Sequence, residues 1–542
     1  MACSWSGISP AAPGETIRMS VVVWFKRDLR LHDHAALAAG CREAQREGVA
    51  LLCLYVYEPS IIHAPDFDAC HLVFISQCLH ELRRNLNAIG GRLLMRVGEM
   101  PDVLEHLGRE LSAAGLAPIR SLHSHEETGN DRTFQRDRRV ARWCAAHGVR
   151  WSEHVQNGVV RRLASRDGWA AMWDERMSAP IIDAPADLAA VTVRVLDDGE
   201  LQTPEAFNLG PGKPKAQPGG EAAAHRVLDS FLETRGVNYQ RDMSSPVEGW
   251  NGCSRLSPHL AYGSISIKVA HQRTTERQRE VEHLALRGEI DPRWKASLKS
   301  FQARLHWHCH FMQKLESEPR IEFGNVNRAY DGLRPESIDD PESVRRFEAW
   351  KSGRTGYPMI DACMRCLHAT GWINFRMRAM LASFTSYQLW LHWPEPAAYL
   401  ARQFIDYEPG IHYPQFQMQS GVTGINTIRI YSPAKQARDQ DPTGAFIRRW
   451  VPQLATVPDD YLAEPHLMPP LLRQMHGVRL AEPGTDPCEL EGEVYPWPVV
   501  DHQAAYREAK EQVFAWRSRA SAKREAVQVF LKHGSRRHNR RG

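Results

Sequence analysis

The N-terminal part of the chain alternates short apolar runs with amphipathic stretches. VVVWF at Val21 to Phe25 and VALLCLYVY at Val49 to Tyr57 are rich in Val, Leu and Tyr, and between them His34 to Glu47 reads as a helix. A second helical pattern spans Ala69 to Ile89, GGRLLMRVG supplies another strand, and IRSLHSH and VRWSEH supply two more between Ile119 and His154. This βαβ rhythm predicts an α/β domain with a mainly parallel sheet. No GxGxxG follows the first strand, so a dinucleotide fold of the Rossmann type lacks the turn that cradles its phosphates.

From about Val160 the periodicity breaks up, ending in the Gly/Pro-rich LGPGKPKAQPGG at Leu209 to Gly220, which reads as a connector. Helical patterns then succeed one another at Glu221 to Gly236, Pro292 to Leu315, Met359 to Gly371, Phe375 to Trp393 and Ala397 to Ile405. The expected organisation is a disordered leader at 1–18, an α/β domain at 19–160 and a connector at 161–220. An all-α domain follows at 221–480, then a C-terminal extension at 481–542 ending in a basic tail.

Composition narrows the class. With 542 residues, 43% of them hydrophobic, the chain can bury two or three cores, and it has no apolar run of membrane-spanning length and no secretory signal. Eleven cysteines without short regular spacings suit a reducing compartment, so an intracellular, cytoplasmic, monomeric protein without disulfides is expected. Cys363 and Cys366 form a CxxC inside an apolar-periodic helix, and with no second ligand pair at metal spacing they read as core packing. Net charge is only +4, but Arg517 to Arg541 is dense in Arg and Lys with one acid, Glu525. A solvated disordered end is the simpler reading of that tail, and a phosphate-binding segment the other.

Three groups of residues carry candidate chemistry. Cys253 to Ser266 places hydroxyls and a proline at what looks like a helix start, where Ser254 and Ser257 could meet an anion or simply cap. Between Ser297 and Leu315, Arg304, His308 and Phe311 share a helix face at spacings of four and three, with Trp307 beside them. The third group is GRTGYPMIDACMRCLHATGWINFRMRAM from Gly353, followed by FIDYEPGIHYPQFQMQSGVTGINTIRIYSPAKQ and DPTGAFIRRWVPQL.

The order and spacing of that third group resemble the FAD-binding half of the photolyase/cryptochrome family, and VVVWFKRDLRLHDHAAL at Val21 to Leu37 is similar to the opening of its antenna domain. The resemblance covers about Met19 to Met468 and implies FAD in a central cavity of the helical domain, with a second, antenna chromophore in the first domain. It implies that Tyr239, Cys253, Ser254, Leu256 and Ser257 border the FAD phosphates, although a threonine is usual at Cys253. Arg378 and Asp406 match the ion pair against the flavin ring, and Glu408 stands where an aspartate is usual near its polar edge.

Several positions depart from the family's pattern. Its E-x-x-W-R motif becomes Arg304, Trp307 and His308, so an acid that touches the lesion is a cation here and an arginine beside FAD is a histidine. His412 falls where the family faces flavin N5 with Asn, Asp or Cys, and with an ordinary pKa of about 6.5 it could donate a proton there. A ring bonded to the backbone is the other reading of His412. Phe416 replaces the relay tryptophan nearest FAD, Phe375 replaces a polar lesion contact, and Met418 replaces a tryptophan that stacks on the lesion. Electron transfer would have to pass by Trp393, Trp390 or Tyr413, with Trp372 and Tyr387 as further aromatics. Damaged DNA is the implied partner, met by Trp307 and by Arg376, Arg429, Arg448 and Arg449. HSHEETGN at His123 to Asn130, near where relatives hold an antenna, reads as a solvated loop. Light-driven repair of pyrimidine photoproducts is the first activity implied, a blue-light photoreceptor without repair the alternative, and a flavin protein that only binds nucleic acid the third. Only Cys488 follows Cys366, so no iron-sulfur cluster or other metal is expected.

Overall fold

The computed structural model describes residues 20–534, so the leader expected at 1–18 and the last residues of the basic tail lie outside the described residues. β1 (Ser20–Phe25), β2 (Ala50–Tyr57), β3 (Leu93–Val97), β4 (Ile119–His125) and β5 (Arg150–His154) form one parallel sheet in the order β3-β2-β1-β4-β5. Every residue of β1 and β2 is buried, as strands covered by helices on both faces must be. Alternate residues serve opposite faces: Val21, Val23 and Phe25 pack in one layer, Val22 and Trp24 in the other. The helices Ala35–Glu47, Ala69–Ala88, Asp102–Ala113 and Asp131–Ala146 link the strands.

Strand order reverses beside β1, so the chain ends leaving β1 and β4 splay apart and open a crevice at the carboxyl edge of the sheet. Asp28 organises its floor. One oxygen takes the Lys26 backbone N–H at 2.7 Å, and the other lies 2.7 Å from His125 Nδ1 and 3.1 Å from His34 Nε2. His34 Nδ1 in turn accepts the Leu37 N–H and caps the first helix. Asp28, His34 and His125 lie close enough to share a cation, and all three are buried.

The segment 161–220 is no free linker. Its helix Trp169–Ser178 buries Trp169, Trp173 and Met177 in the helical domain, while Leu188, Val191 and Phe207 pack back on the sheet domain. It straps the two domains together.

The helical domain is built on Glu221–Glu233, Ile267–Leu286, Arg293–Ser317, Pro341–Ser352, Pro358–Thr370, Phe375–Ser383, Pro394–Gln403, Pro409–Gln419 and Pro433–Gln440. Proline opens five of these, where its missing N–H costs no hydrogen bond. The helix expected from Phe375 to Trp393 is shorter. It passes at Phe384 into a wide π turn and ends at Leu389, with Trp390 at φ 56°. The buried Arg334 guanidinium explains the break: it donates to the Ser386 and Ser420 carbonyls and lies 4.7 Å from the Trp390 ring.

The basic tail, read as a solvated end, is helical as far as it is described. Helices His502–Ser518 and Ala520–His533 lie on the domain, with Trp516 Nε1 donating to the Ala329 carbonyl at 2.6 Å and His533 Nε2 2.6 Å from Glu318. Tail composition overlooked the apolar residues that dock it, Val513, Ala522 and Val529, which are buried. No helix among the described residues is long and apolar enough to cross a membrane.

Candidate functional site

A loop fixed by two arginines forms one wall. Arg255 adopts φ 61°, and its guanidinium lies between the rings of Trp250 and Trp372, 3.9 and 4.1 Å from their centroids. Arg235 donates to the carbonyls of Asn251, Cys253 and Ser254. Held on both sides, the loop leaves Ser254 and Ser257 half-buried. Leu256 and Tyr239 sit beneath them, the Tyr239 ring edge-on to Phe231 and Phe301. Burial pushes the Cys253 thiol up to about 12, so it packs as a neutral group.

The helix Arg293–Ser317 forms the next wall. Arg304 lies 4.9 Å over the Trp307 ring, and Trp307 is 45% exposed. Phe375, at the start of its own helix, is 49% exposed. Two large rings are thus left in solvent, one of them beneath a cation, which burial would not select. One turn on from Arg304, His308 is pushed down to about 4 by burial and then by the nearby Arg27 charge, so it is neutral at neutral pH.

Two ion pairs make the floor. Arg378 donates to both oxygens of Asp406, at 2.9 and 2.7 Å, and stacks on Phe404 at 4.0 Å, which fixes the guanidinium plane. Glu408 is met by Arg27, whose Nη2 lies 2.6 Å from Oε2, while Arg27 Nε donates to the Ala261 carbonyl. Arg27 comes from the loop after β1, so the sheet domain reaches into this site. Glu408 Oε1, Arg255 Nε and Asn374 Oδ1 are buried polar atoms without partners in the protein.

His412 shares the helix Pro409–Gln419 with Phe416 and Met418. Its Nε2 lies 2.8 Å from the Ala397 carbonyl and therefore carries the proton. Burial pushes the ring down to about 4 against the raising effect of that bond. Of the two readings of His412, the bond to backbone is the one seen here: the ring is neutral and tethered to the Ala397 carbonyl, with Nδ1 as its acceptor. The Phe416 ring lies 6.0 Å from it.

The aromatic candidates for electron transfer divide into separate groups. Trp393 is fully buried, bonds Asn325 through its indole N–H at 2.9 Å, and lies 6.2 Å from Tyr413. Trp390 and Tyr387 pack on Arg334, and Trp372 on Arg255. Of the arginines expected to meet DNA, Arg448 is held by the Thr443 and Val457 carbonyls and by Asp459, a structural clamp. Arg449 lies 5.4 Å from the Trp450 ring, and Arg429 is exposed.

The stretch read as a solvated loop differs too. His123 and His125 belong to β4, and Glu127 is buried and bonded to Arg136 at 2.6 Å. Arg136 also meets Glu58 and Asp137, and Arg136, Glu58 and Glu127 border a cavity of about 130 Å³ with Tyr55, Phe67, Tyr262 and Tyr407 on its walls. Arg27 escaped sequence reading because its partners, Ala261 and Glu408, lie more than two hundred residues away in the chain; Arg235, Arg255 and this charge cluster carry no motif that marks them.

Comparison with known proteins gives matches over both domains. Residues 21–166 match the family model described as DNA photolyase, and residues 301–515 the FAD binding domain of DNA photolyase. A deoxyribodipyrimidine photo-lyase of Streptomyces griseus is 30% identical over 89% of this chain and 97% of its own length. A cryptochrome DASH of Gloeobacter violaceus is 28% identical over 90% of this chain and 95% of its own. Among solved structures, a class III photolyase from Agrobacterium tumefaciens superposes with TM-score 0.75 at 24% identity, covering 94% of this chain and all of that one.

Proposed function

This chain belongs to the photolyase/cryptochrome family, and from that premise we propose that it is a FAD-dependent, blue-light-driven flavoprotein that repairs pyrimidine photoproducts in DNA. The observation that carries the reading is a pair of exposed rings, Trp307 with Arg304 over its face and Phe375, three residues before the Arg378 that Asp406 holds with two bonds. Exposed rings suit a base flipped out of a duplex, which needs a flat apolar partner.

The donor set suits FAD. Arg378, oriented by Asp406, offers a fixed cation to an anionic ring, and Ser254 and Ser257 offer hydroxyls to phosphates. Glu408 Oε1 and Asn374 Oδ1 are acceptors awaiting donors. Reduced FAD, when bound, supplies a photoexcited electron donor. The protein's own residues orient and exclude: Trp307 and Phe375 stack on the extruded base, Arg304 offers charge at the rim, and the neutral His412 offers Nδ1 as an acceptor. The apolar cavity beside Arg136 and Tyr262 is the place where an antenna chromophore would lie.

The test is light-dependent restoration of bases in oligonucleotides carrying a cyclobutane dimer or a (6-4) product, with FAD chemically reduced beforehand. Turnover of either lesion supports repair and names the substrate. A second reading, a photoreceptor without repair, is favoured by one feature, the change of lesion contacts at Phe375, in place of a polar residue, and at Met418, in place of a stacking tryptophan. Phe375 forfeits a hydrogen bond to a base, about 1 kcal/mol. No turnover of either lesion by the FAD-loaded, reduced protein would select that reading.

A further inference from the structure

The position nearest the flavin in the family's relay is Phe416 here, and phenylalanine is far harder to oxidise than tryptophan or tyrosine. Beside it the structure assembles a hydrogen-bonded chain that sequence spacing did not reveal. The Tyr407 hydroxyl donates to Asp66 Oδ2 at 2.6 Å and, having a single proton, accepts from the Tyr413 hydroxyl at 3.2 Å. Both rings pack edge-on against His412, with centroids at 5.4 and 5.5 Å, and Tyr413 lies 6.2 Å from Trp393. Asp66 is 8% exposed and comes from the sheet domain.

Oxidising a phenol by one electron makes its O–H strongly acidic, so the step is slow unless a base already holds the proton. Asp66 is that base by position. Its Oδ2 receives the Tyr407 hydroxyl and the Asn130 amide, the latter at 3.0 Å, both uncharged donors. Asp66 and Tyr413 also line an open interdomain groove of about 950 Å³, which gives the proton a way to water and an external reductant a way to the ring.

We propose that Tyr407 and Tyr413, with Asp66 as proton acceptor, form the redox-active pair that donates to the photoexcited, oxidised flavin in place of the missing relay tryptophan. One electron leaves the Tyr407 phenol for the flavin. Its O–H bond breaks, the proton forms an O–H bond on Asp66, and a neutral tyrosyl radical remains. Tyr413 passes its own electron and proton to that radical, and an external thiol restores Tyr413 from the groove. This inference rests on a flavin occupying the pocket beside His412, but not on repair.

The experiment uses the full chain with its FAD oxidised, flash-illuminated without reductant and frozen for electron paramagnetic resonance. Ring-deuterated tyrosine should narrow the trapped radical's spectrum in the unaltered protein. The Tyr407→Phe, Tyr413→Phe double variant should remove that spectrum, and Asp66→Asn should cut its yield about a hundredfold, with Asp66→Glu restoring most of it. A spectrum indifferent to tyrosine deuteration, or one that survives the double variant at unchanged FAD content, overturns the proposal. Repair by chemically reduced protein bypasses these residues, so loss of the radical and loss of repair report on separate readings.

Discussion

At the scale of single residues, the site depends on charges held by one designated partner. Asp406 has 2% of its side chain exposed, and Arg378 presents both terminal nitrogens to it. Asp406→Asn leaves the cation beside a neutral amide that can satisfy only one of them well. We expect FAD affinity to fall by about 1.5–3 kcal/mol, read as the flavin-to-protein absorbance ratio across a dilution series, with the fold retained. The histidines make a different prediction. His308 and His412 titrate near 4 in the folded protein, lowered chiefly by burial, against about 6.5 in the unfolded chain. Between those values the unfolded chain binds protons that the folded protein refuses, so stability is flat above about pH 6.5 and declines as pH falls toward 4. Melting temperatures of the FAD-free protein should therefore drop between about pH 7.5 and pH 5, and His412→Asn should lessen the drop. An unchanged slope in that variant would contradict the assigned neutral ring.

Among the elements, the β runs and the long helix around Arg304 were legible because each follows from a local period, and a local period suffices to say which face is buried. The π turn at Phe384–Gln388 was not, since its cause is Arg334, some fifty residues earlier, drawing the Ser386 carbonyl out of the helical ladder. The C-terminal helix Ala520–His533 escaped for the same reason: its basic residues read as solvated while its anchor, Glu318, lies at the far end of the Arg293–Ser317 helix. Burial raises the Glu318 carboxyl, but the bonds from His533 and Lys532 outweigh it and hold the group at about 2. Because this pKa is depressed, the clamp's contribution is present above about pH 4.5 and is lost as pH falls toward 2. Glu318→Gln should weaken docking by about 1–3 kcal/mol, seen at neutral pH as faster amide exchange confined to residues 520–533. Exchange that accelerates equally across the whole helical domain would show instead that Glu318 supports the core.

At the scale of the whole molecule, sequence motifs located both halves, yet not what joins them. Arg27 and Glu408 are 381 residues apart and meet at 2.6 Å, with Arg27 also bonded to the Ala261 carbonyl. Tyr407 and Asp66 make a second bond across the same boundary. If FAD occupies the proposed site, the sheet domain completes it through Arg27, and domain docking and cofactor binding should be coupled through the Arg27–Glu408 pair. Glu408 is buried and its carboxyl is raised by that burial against the pull of Arg27, so removing Arg27 leaves an acid that favours its neutral form. Arg27→Ala and Glu408→Gln should each lower both the unfolding free energy and FAD affinity, while the double variant should lose less than their sum, with a coupling of about 0.5–3 kcal/mol. Additive losses would mean that each residue acts alone. A coupling visible in FAD affinity as well as in unfolding would mean that the sheet domain is part of the cofactor site.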